Sequence, residues 1–217
     1  MDDKERRAAV MSAMTTEHIV MQSVIGVTIS ESGQRASIYM VSLSSSLVAM
    51  GFVAQSPGAL VPFVATVLPA VFVLGIFTIM RIVDIAAENL LAHVGIARIR
   101  AYYRTINAEA TEYFAADRGR WPELAASEPS MRAGPLIGYL TTIATMIAAI
   151  NAIVAAAGVA LLVHHVAELA VVPALLAGIA VATVFLLLFY RYQRYRTTGL
   201  VGDAPPPNSS GSQAEIS

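Results

Sequence analysis

The chain has 217 residues, of which 56% are hydrophobic and 13% charged, with a formal net charge of −1. A soluble domain carries roughly 25% charged residues, so the composition argues against a water-soluble domain and for the bilayer. The near-zero net charge gives no basic signal for nucleic acid as a partner, and the absence of cysteine rules out disulfides, a thiolate nucleophile and Cys metal ligands.

The N-terminus, MDDKERRAAV, is charged and mixed. It lacks the short apolar core and small-residue cleavage site of a secretory signal, so none is expected. Residues 1–36 read as a cytoplasmic N-terminal segment. Within it, Thr15–Arg35 is partly amphipathic, with Val20, Val24 and Val27 on one side. That side is expected to pack against the middle of the chain.

No Lys, Arg, Asp or Glu occurs between Arg35 and Arg81. A helix needs about 20 apolar residues to cross a hydrocarbon core of about 30 Å, so this stretch holds two spans. Gln55-Ser56-Pro57-Gly58 breaks it with a turn signal. The spans are placed at Ser37–Val53 and Leu60–Met80, forming a first transmembrane hairpin over residues 37–80. Five serines (Ser37, Ser42, Ser44, Ser45 and Ser46) interrupt the first span. At about 100° per residue, Ser42, Ser45, Ser46 and Ala49 share one sector, while Ser37 and Ser44 lie on another side. Serine hydroxyls can bond a carbonyl one turn back and are tolerated in lipid. The Ser42/Ser45/Ser46/Ala49 sector is read as a close-packing face.

Residues 81–135 form the largest expected soluble part, a cytoplasmic helical stalk and loop. Apolar or aromatic residues recur at Ala92, Ile96, Ile99, Tyr103, Ile106, Ala110 and Tyr113, three or four apart. Asp84 and Glu88 bias the opposite side. The helix is expected to run to about Ala116 and to stop at the Gly and Pro of Asp117-Arg118-Gly119-Arg120-Trp121-Pro122. Arg98, Arg100, Tyr103 and Arg104 make this helix basic with interleaved tyrosines. Such a surface suits an anionic ligand, lipid headgroups or a cytoplasmic protein; it is equally that of a solvated helix packed on Thr15–Arg35. His93 reads as a surface or partner-facing residue.

A second hairpin is expected over residues 136–190, with spans at Leu136–Val163 and Leu169–Tyr190 and a reversal at His164–Glu168. In the third span Ala144, Ala148, Ala152, Ala156 and Ala160 recur every four residues; Ala170, Ala174, Gly178 and Ala182 do so in the fourth. Small residues let helices approach closely in lipid, where no hydrophobic effect drives them together. They suit a tight hairpin or an interface between subunits. Asn151 falls near the middle of the third span, where an unpaired polar side chain is costly, so it should bond another helix. His164, His165 and Glu168 lack the geometry of a metal site, since adjacent histidines point to different sides of a helix. No metal and no cofactor is expected.

Tyr190-Arg191-Tyr192-Gln193-Arg194-Tyr195-Arg196 reads as an anchor at headgroup depth. Residues 191–217 are read as a disordered cytoplasmic tail, with Pro205-Pro206-Pro207 in it. Every Lys and Arg lies in the N-terminal segment, the middle segment or the tail, and neither short loop has any. Cytoplasmic loops carry the Lys/Arg excess, so both termini and the middle segment are placed in the cytoplasm of a bacterial inner membrane. The fold class expected is all-α and polytopic, with four transmembrane helices in two hairpins joined by the stalk.

The stretch Ser32-Gly33-Gln34-Arg35-Ala36-Ser37-Ile38-Tyr39, running into Ser44-Ser45-Ser46-Leu47, resembles the start of the first span in transmembrane effectors of nucleotide-signalled anti-phage systems. The Arg-Ile-Arg-x-Tyr-Tyr helix after the second span resembles that of uncharacterised actinobacterial four-span integral membrane proteins. The first resemblance implies a membrane-disrupting effector, the second a topology. No H-E-x-x-H, G-x-S-x-G or P-loop motif occurs, and no catalytic residue is assigned. The expectation is a non-enzymatic membrane protein that forms a homo-oligomer through small-residue faces and presents the stalk to a partner. An oligomeric channel or small transporter is the alternative.

Overall fold

A computed structural model of the chain describes residues 2–56, 58–106, 109, 142–168 and 170–201. The described residues form four helices: α1 (Asp3–Val53), α2 (Leu60–Ile106), α3 (Ile143–Val166) and α4 (Val171–Val201). All four are long and apolar enough to cross a membrane, which is the architecture of a multi-pass membrane protein.

The amphipathic segment and the first span are one helix. Across 51 residues α1 contains no proline, so nothing interrupts its backbone ladder. The serines do not break it either. Ser37, Ser42 and Ser46 donate to the carbonyls of Gly33, Ile38 and Ser42, each four residues back, at 2.8–2.9 Å. A hydroxyl satisfied by its own helix carries little desolvation cost in lipid.

Burial along α1 follows a single face: Met14, His18, Met21, Ile25, Thr28, Ser32, Ala36, Tyr39, Leu43, Ser46 and Met50 are buried or half-buried. Their spacing of three or four puts them on one side of a helix. This face lies against α2, which runs antiparallel: Met21 reaches Gly95, Thr28 meets Asn89 and Glu31 meets Arg81. The expectation for Val20, Val24 and Val27 is therefore corrected. They are 48%, 40% and 61% exposed and point away from α2. Periodicity showed an apolar side of the helix, but the contacting side holds the smaller and more polar Thr28 and Ser32, which find partners there.

The reversal into α2 spans Ala54–Ala59. Gly58 sits at φ +90, a conformation that costs glycine nothing. α2 carries the expected apolar positions onward. Ala92, Ile96 and Ile99 are buried, Tyr103 is half-buried and Ile106 is exposed. The continuation to Ala116 (Ala110 and Tyr113 included), the stop at 117–122 and the loop to Pro135 lie outside the described residues. So does the expected start of the third span at Leu136. Thr142 caps α3, its Oγ1 accepting from the Thr145 amide at 3.2 Å. Between α3 and α4 the chain turns at Ala167–Ala170, with Glu168 at φ 54.

The last helix passes the expected end of its span and continues to Val201. Residues 191–201 are thus helical rather than part of a disordered tail, because Phe189 and Gln193 stay buried one turn apart and extend the packed face. The rest of that tail lies outside the described residues.

α2 is the central element. It packs on α1, α3 and α4, while α1 touches α3 only sparingly. The core joins Tyr39 and Leu43 of α1, Val64, Leu68 and Val83 of α2, Ile147 and Ala148 of α3, and Phe189 of α4. The rings of Phe72 and Phe185 lie 5.4 Å apart and tilted by 58°, tying α2 to α4 by an aromatic contact.

Small residues set the α3–α4 spacing. Ala144, Ala148 and Ala152 are buried to 2% exposure or less, Ala156 and Ala160 are half-buried, and Ala174 and Gly178 are buried. A Cβ added to Gly178 would lie 2.4 Å from the carbonyl oxygen of Ala156, so the two backbones touch. Gly178→Leu is expected to push α3 and α4 apart and to cost about 1–3 kcal/mol, the usual range for overpacking. Unfolding in detergent, compared with wild type, measures it.

Candidate functional site

Two polar clusters stand out against the apolar helices. The first lies inside the bundle and centres on Asn151, which is fully buried. Its Oδ1 accepts from the Tyr39 hydroxyl at 3.2 Å, and its Nδ2 donates to the Phe72 carbonyl at 3.2 Å. One side chain on α3 thus bonds both α1 and α2. Room for it comes from Gly75, where an added Cβ would lie 2.3 Å from Asn151 Oδ1. Tyr39 is also fully buried, so the hydroxyl and the amide are paired away from any open path. Sequence reasoning found Asn151 by its depth. It missed Tyr39 and Gly75, since an aromatic and a glycine carry no polar signal in an apolar run.

The second cluster forms where the charge-free runs end. Glu31 of α1 accepts from Arg35 one turn on at 2.9 Å and from the guanidinium of Arg81 at 3.1 and 3.3 Å. Arg81 also donates to Glu88 at 3.0 Å. Arg196 of α4 pairs with Asp84 of α2. Asn89 donates to Thr28 at 3.0 Å, and Gln193 donates to Thr142, the cap of α3, at 3.2 Å. All four helices are therefore cross-linked by polar groups at one level. Exposed ion pairs stabilise little, but paired across helices they fix axial register. The Arg81 and Arg35 hydrogen bonds hold the Glu31 carboxyl below its ordinary range. Arg196 stays firmly protonated beside Asp84.

The other candidate residues fall as follows. Of the small-residue face on α1, Ser42, Ser46 and Ala49 are half-buried at the edges of the contact while Ser45 is exposed. The intrachain contact is centred instead on Tyr39 and Leu43, a rotation of roughly one residue step. Ser45 could not join it because Leu43 and Ser46 already face α2. Arg98 is exposed, whereas Arg100, Tyr103 and Arg104 are half-buried, and each already takes part in polar or electrostatic contacts. His93 Nδ1 lies 2.8 Å from the Asn89 carbonyl. His164 and His165, expected in the reversal, are exposed in the last turn of α3, their rings edge-on. Among the described residues, no group of three His, Asp or Glu side chains is placed to hold a metal ion.

The chain matches no family model, no curated protein and no solved structure.

Two tests follow from these clusters. Tyr39→Phe removes the donor to Asn151 and should cost about 1 kcal/mol, as interhelical hydrogen bonds in membranes do. Gly75→Ala, which must expel the amide, should cost more; a null effect of both in detergent unfolding would discard the three-helix node. For Glu31 the sign follows from its lowered pKa. Its contribution is present above the ordinary carboxylate range and is lost as pH falls through the lowered folded value. Glu31→Gln should therefore flatten the acid limb of a thermal-stability profile that wild type shows.

Proposed function

We propose that this is a non-enzymatic integral membrane protein of the bacterial inner membrane that self-associates and presents a cytoplasmic helix pair to a partner or anionic ligand. Both termini and the 81–135 segment face the cytoplasm in this reading. The four helices cross the bilayer as two hairpins, and the stalk is built from the first part of α1 together with α2 beyond Met80.

The observation that carries the reading is the length of α1 and α2. At 1.5 Å per residue, their 51 and 47 residues span about 76 and 70 Å, against a hydrocarbon core of about 30 Å. They stay paired over the excess, by Thr28–Asn89 and by Met21 on Gly95. The charged cluster of Glu31, Arg81, Asp84 and Arg196 sits where the charge-free runs end, as expected at a headgroup boundary. Arg98, Arg100, Tyr103 and Arg104 lie farther out on the same pair and form the surface offered to a ligand.

A membrane effector, gated through that helix pair, is the specific form proposed, in line with the resemblance carried by Ser32–Leu47. The channel or transporter alternative draws less support. The intramembrane polar groups Asn151 and Tyr39 are spent on each other and on a backbone carbonyl rather than facing a path.

Because the chain has no cysteine, single substitutions report cleanly on topology. Ser56→Cys and Thr197→Cys should label from opposite sides of the membrane; labelling from the same side removes the proposed orientation. Native mass spectrometry in detergent should show an oligomer. In liposome flux assays the protein alone should be silent, and selective ion conductance without any added ligand would favour the channel.

A further inference from the structure

The last turns of α4 carry charge that the bundle does not use. Phe189 and Gln193 are buried and face the other helices. At about 100° per residue, Arg191 points the opposite way, and Arg194 and Tyr195 fall within about 60° of it. Val184, Leu187 and Leu188, one or two turns earlier, share that side. All six are exposed. One face of α4 is therefore apolar up to Leu188 and cationic from Arg191 onward, with a tyrosine beside the charge.

The neighbouring arginines are compensated by the fold. Arg35 and Arg81 share Glu31, and Arg196 pairs with Asp84. Arg191 ends the charge-free run that begins at Leu169, so of the α4 arginines it stands nearest the hydrocarbon. No carboxylate among the described residues pairs with it. Arg194, one turn on, has a further polar or electrostatic contact and lies within reach of the same ligand, since residues three apart are neighbours on a helix surface. An open cleft of about 640 Å³ lies here, lined among the described residues by Leu188, Tyr190, Arg191, Tyr192, Arg194 and Tyr195. Its size suits a small organic group rather than a lone ion.

We infer that this cleft binds the phosphate of an anionic phospholipid. Guanidinium groups match phosphate oxygens with paired, charge-assisted hydrogen bonds, and tyrosine hydroxyls add donors at headgroup depth. The acyl chains of the same molecule then lie along Val184, Leu187 and Leu188. A soluble phosphate ester matches the arginines but not the apolar face that leads into them. A zwitterionic headgroup brings its own ammonium and leaves Arg191 uncompensated. Anionic headgroups are the ones that the cytoplasmic leaflet supplies. The inference rests on the membrane placement of α4. Binding in detergent reads the site whichever leaflet the labelling of Thr197→Cys assigns.

Native mass spectrometry of the detergent-solubilised full chain tests it, with phosphatidylglycerol and phosphatidylethanolamine added separately. Wild type should retain phosphatidylglycerol in preference. Arg191→Gln and Arg194→Gln should each weaken that binding about fivefold, the worth of one basic residue beside an anionic headgroup. Arg191→Lys should keep most of it. Arg7→Gln, the same charge change at the exposed start of α1, should leave it intact. Equal retention of the two lipids overturns the inference, as does an equal loss with Arg7→Gln. So does displacement of the lipid by glycerol phosphate at the same concentration, which would assign the arginines to a soluble phosphate ester. A lower melting temperature of Arg191→Gln without lipid would show the arginine held by a carboxylate of the chain itself, and that also removes the lipid site.

Discussion

Asn151 can sit at zero exposure between three helices because Gly75 has no side chain. A primary amide has two donors and an acceptor, and inside a bilayer no water serves them. The bundle answers with the Tyr39 hydroxyl on one side and the Phe72 carbonyl on the other. That arrangement fixes the rotation of α1, α2 and α3 about their axes. Once Tyr39 faces Asn151, the spacing of three and four residues carries Leu43 and Ser46 onto α2 in one direction and Ser32 and Thr28 in the other. The same rotation leaves Val20, Val24 and Ser45 outside.

Close approach does the rest within the apolar layer. Lipid tails are as apolar as leucine, so helices gain nothing from hydrophobicity in meeting each other. What they gain is contact area, and alanine and glycine provide it by removing the side chains between backbones. Gly178 on the Ala156 carbonyl and Leu68 against Gly158 are both of this kind. At the level where the charge-free runs end, the basis of association changes. Arg81 joins α1 to α2 through Glu31, and Arg196 joins α4 to α2 through Asp84. The long side chains reach their partners without burial, and pairing each of them across helices fixes how far one helix slides along the next. The node on Asn151 and the charged layer therefore constrain different freedoms, rotation in the first case and axial register in the second.

The four membrane-length helices and the two short turns were legible in the sequence, though α3 runs through His164 and His165 to Val166, so the second turn falls a few residues later than expected. Runs without charge longer than a bilayer, broken at Gln55–Gly58 and His164–Glu168, admit one reading because ionised groups are excluded from hydrocarbon. The small-residue faces of α3 and α4 were legible too, except at Ala170, which is exposed ahead of α4, since a spacing of four places residues on one side of any helix. The continuity of α1 and the helical end of α4 were less so. Thr15–Arg35 and Tyr190–Val201 contain enough polar residues to read as separate segments, and their packing, through Met21 on Gly95, Arg196 on Asp84 and Gln193 on Thr142, keeps them in line. Near Thr28 and Ser32 the apolar side was mistaken for the contact side, because polarity was scored without the partners that satisfy it.

By itself the sequence determined that this chain has four helices able to cross a bilayer, because charge patterning and span length act along the chain and need no knowledge of neighbours. The tertiary structure decided which side of each helix meets which. That choice depends on pairs far apart in sequence, Tyr39 with Asn151 and Glu31 with Arg81. It also depends on where a missing Cβ makes room, as at Gly75 beside Asn151 and at Gly178 on the Ala156 carbonyl. A periodic pattern shows that a helix has a small or apolar side; only the packed bundle shows whether that side is already covered.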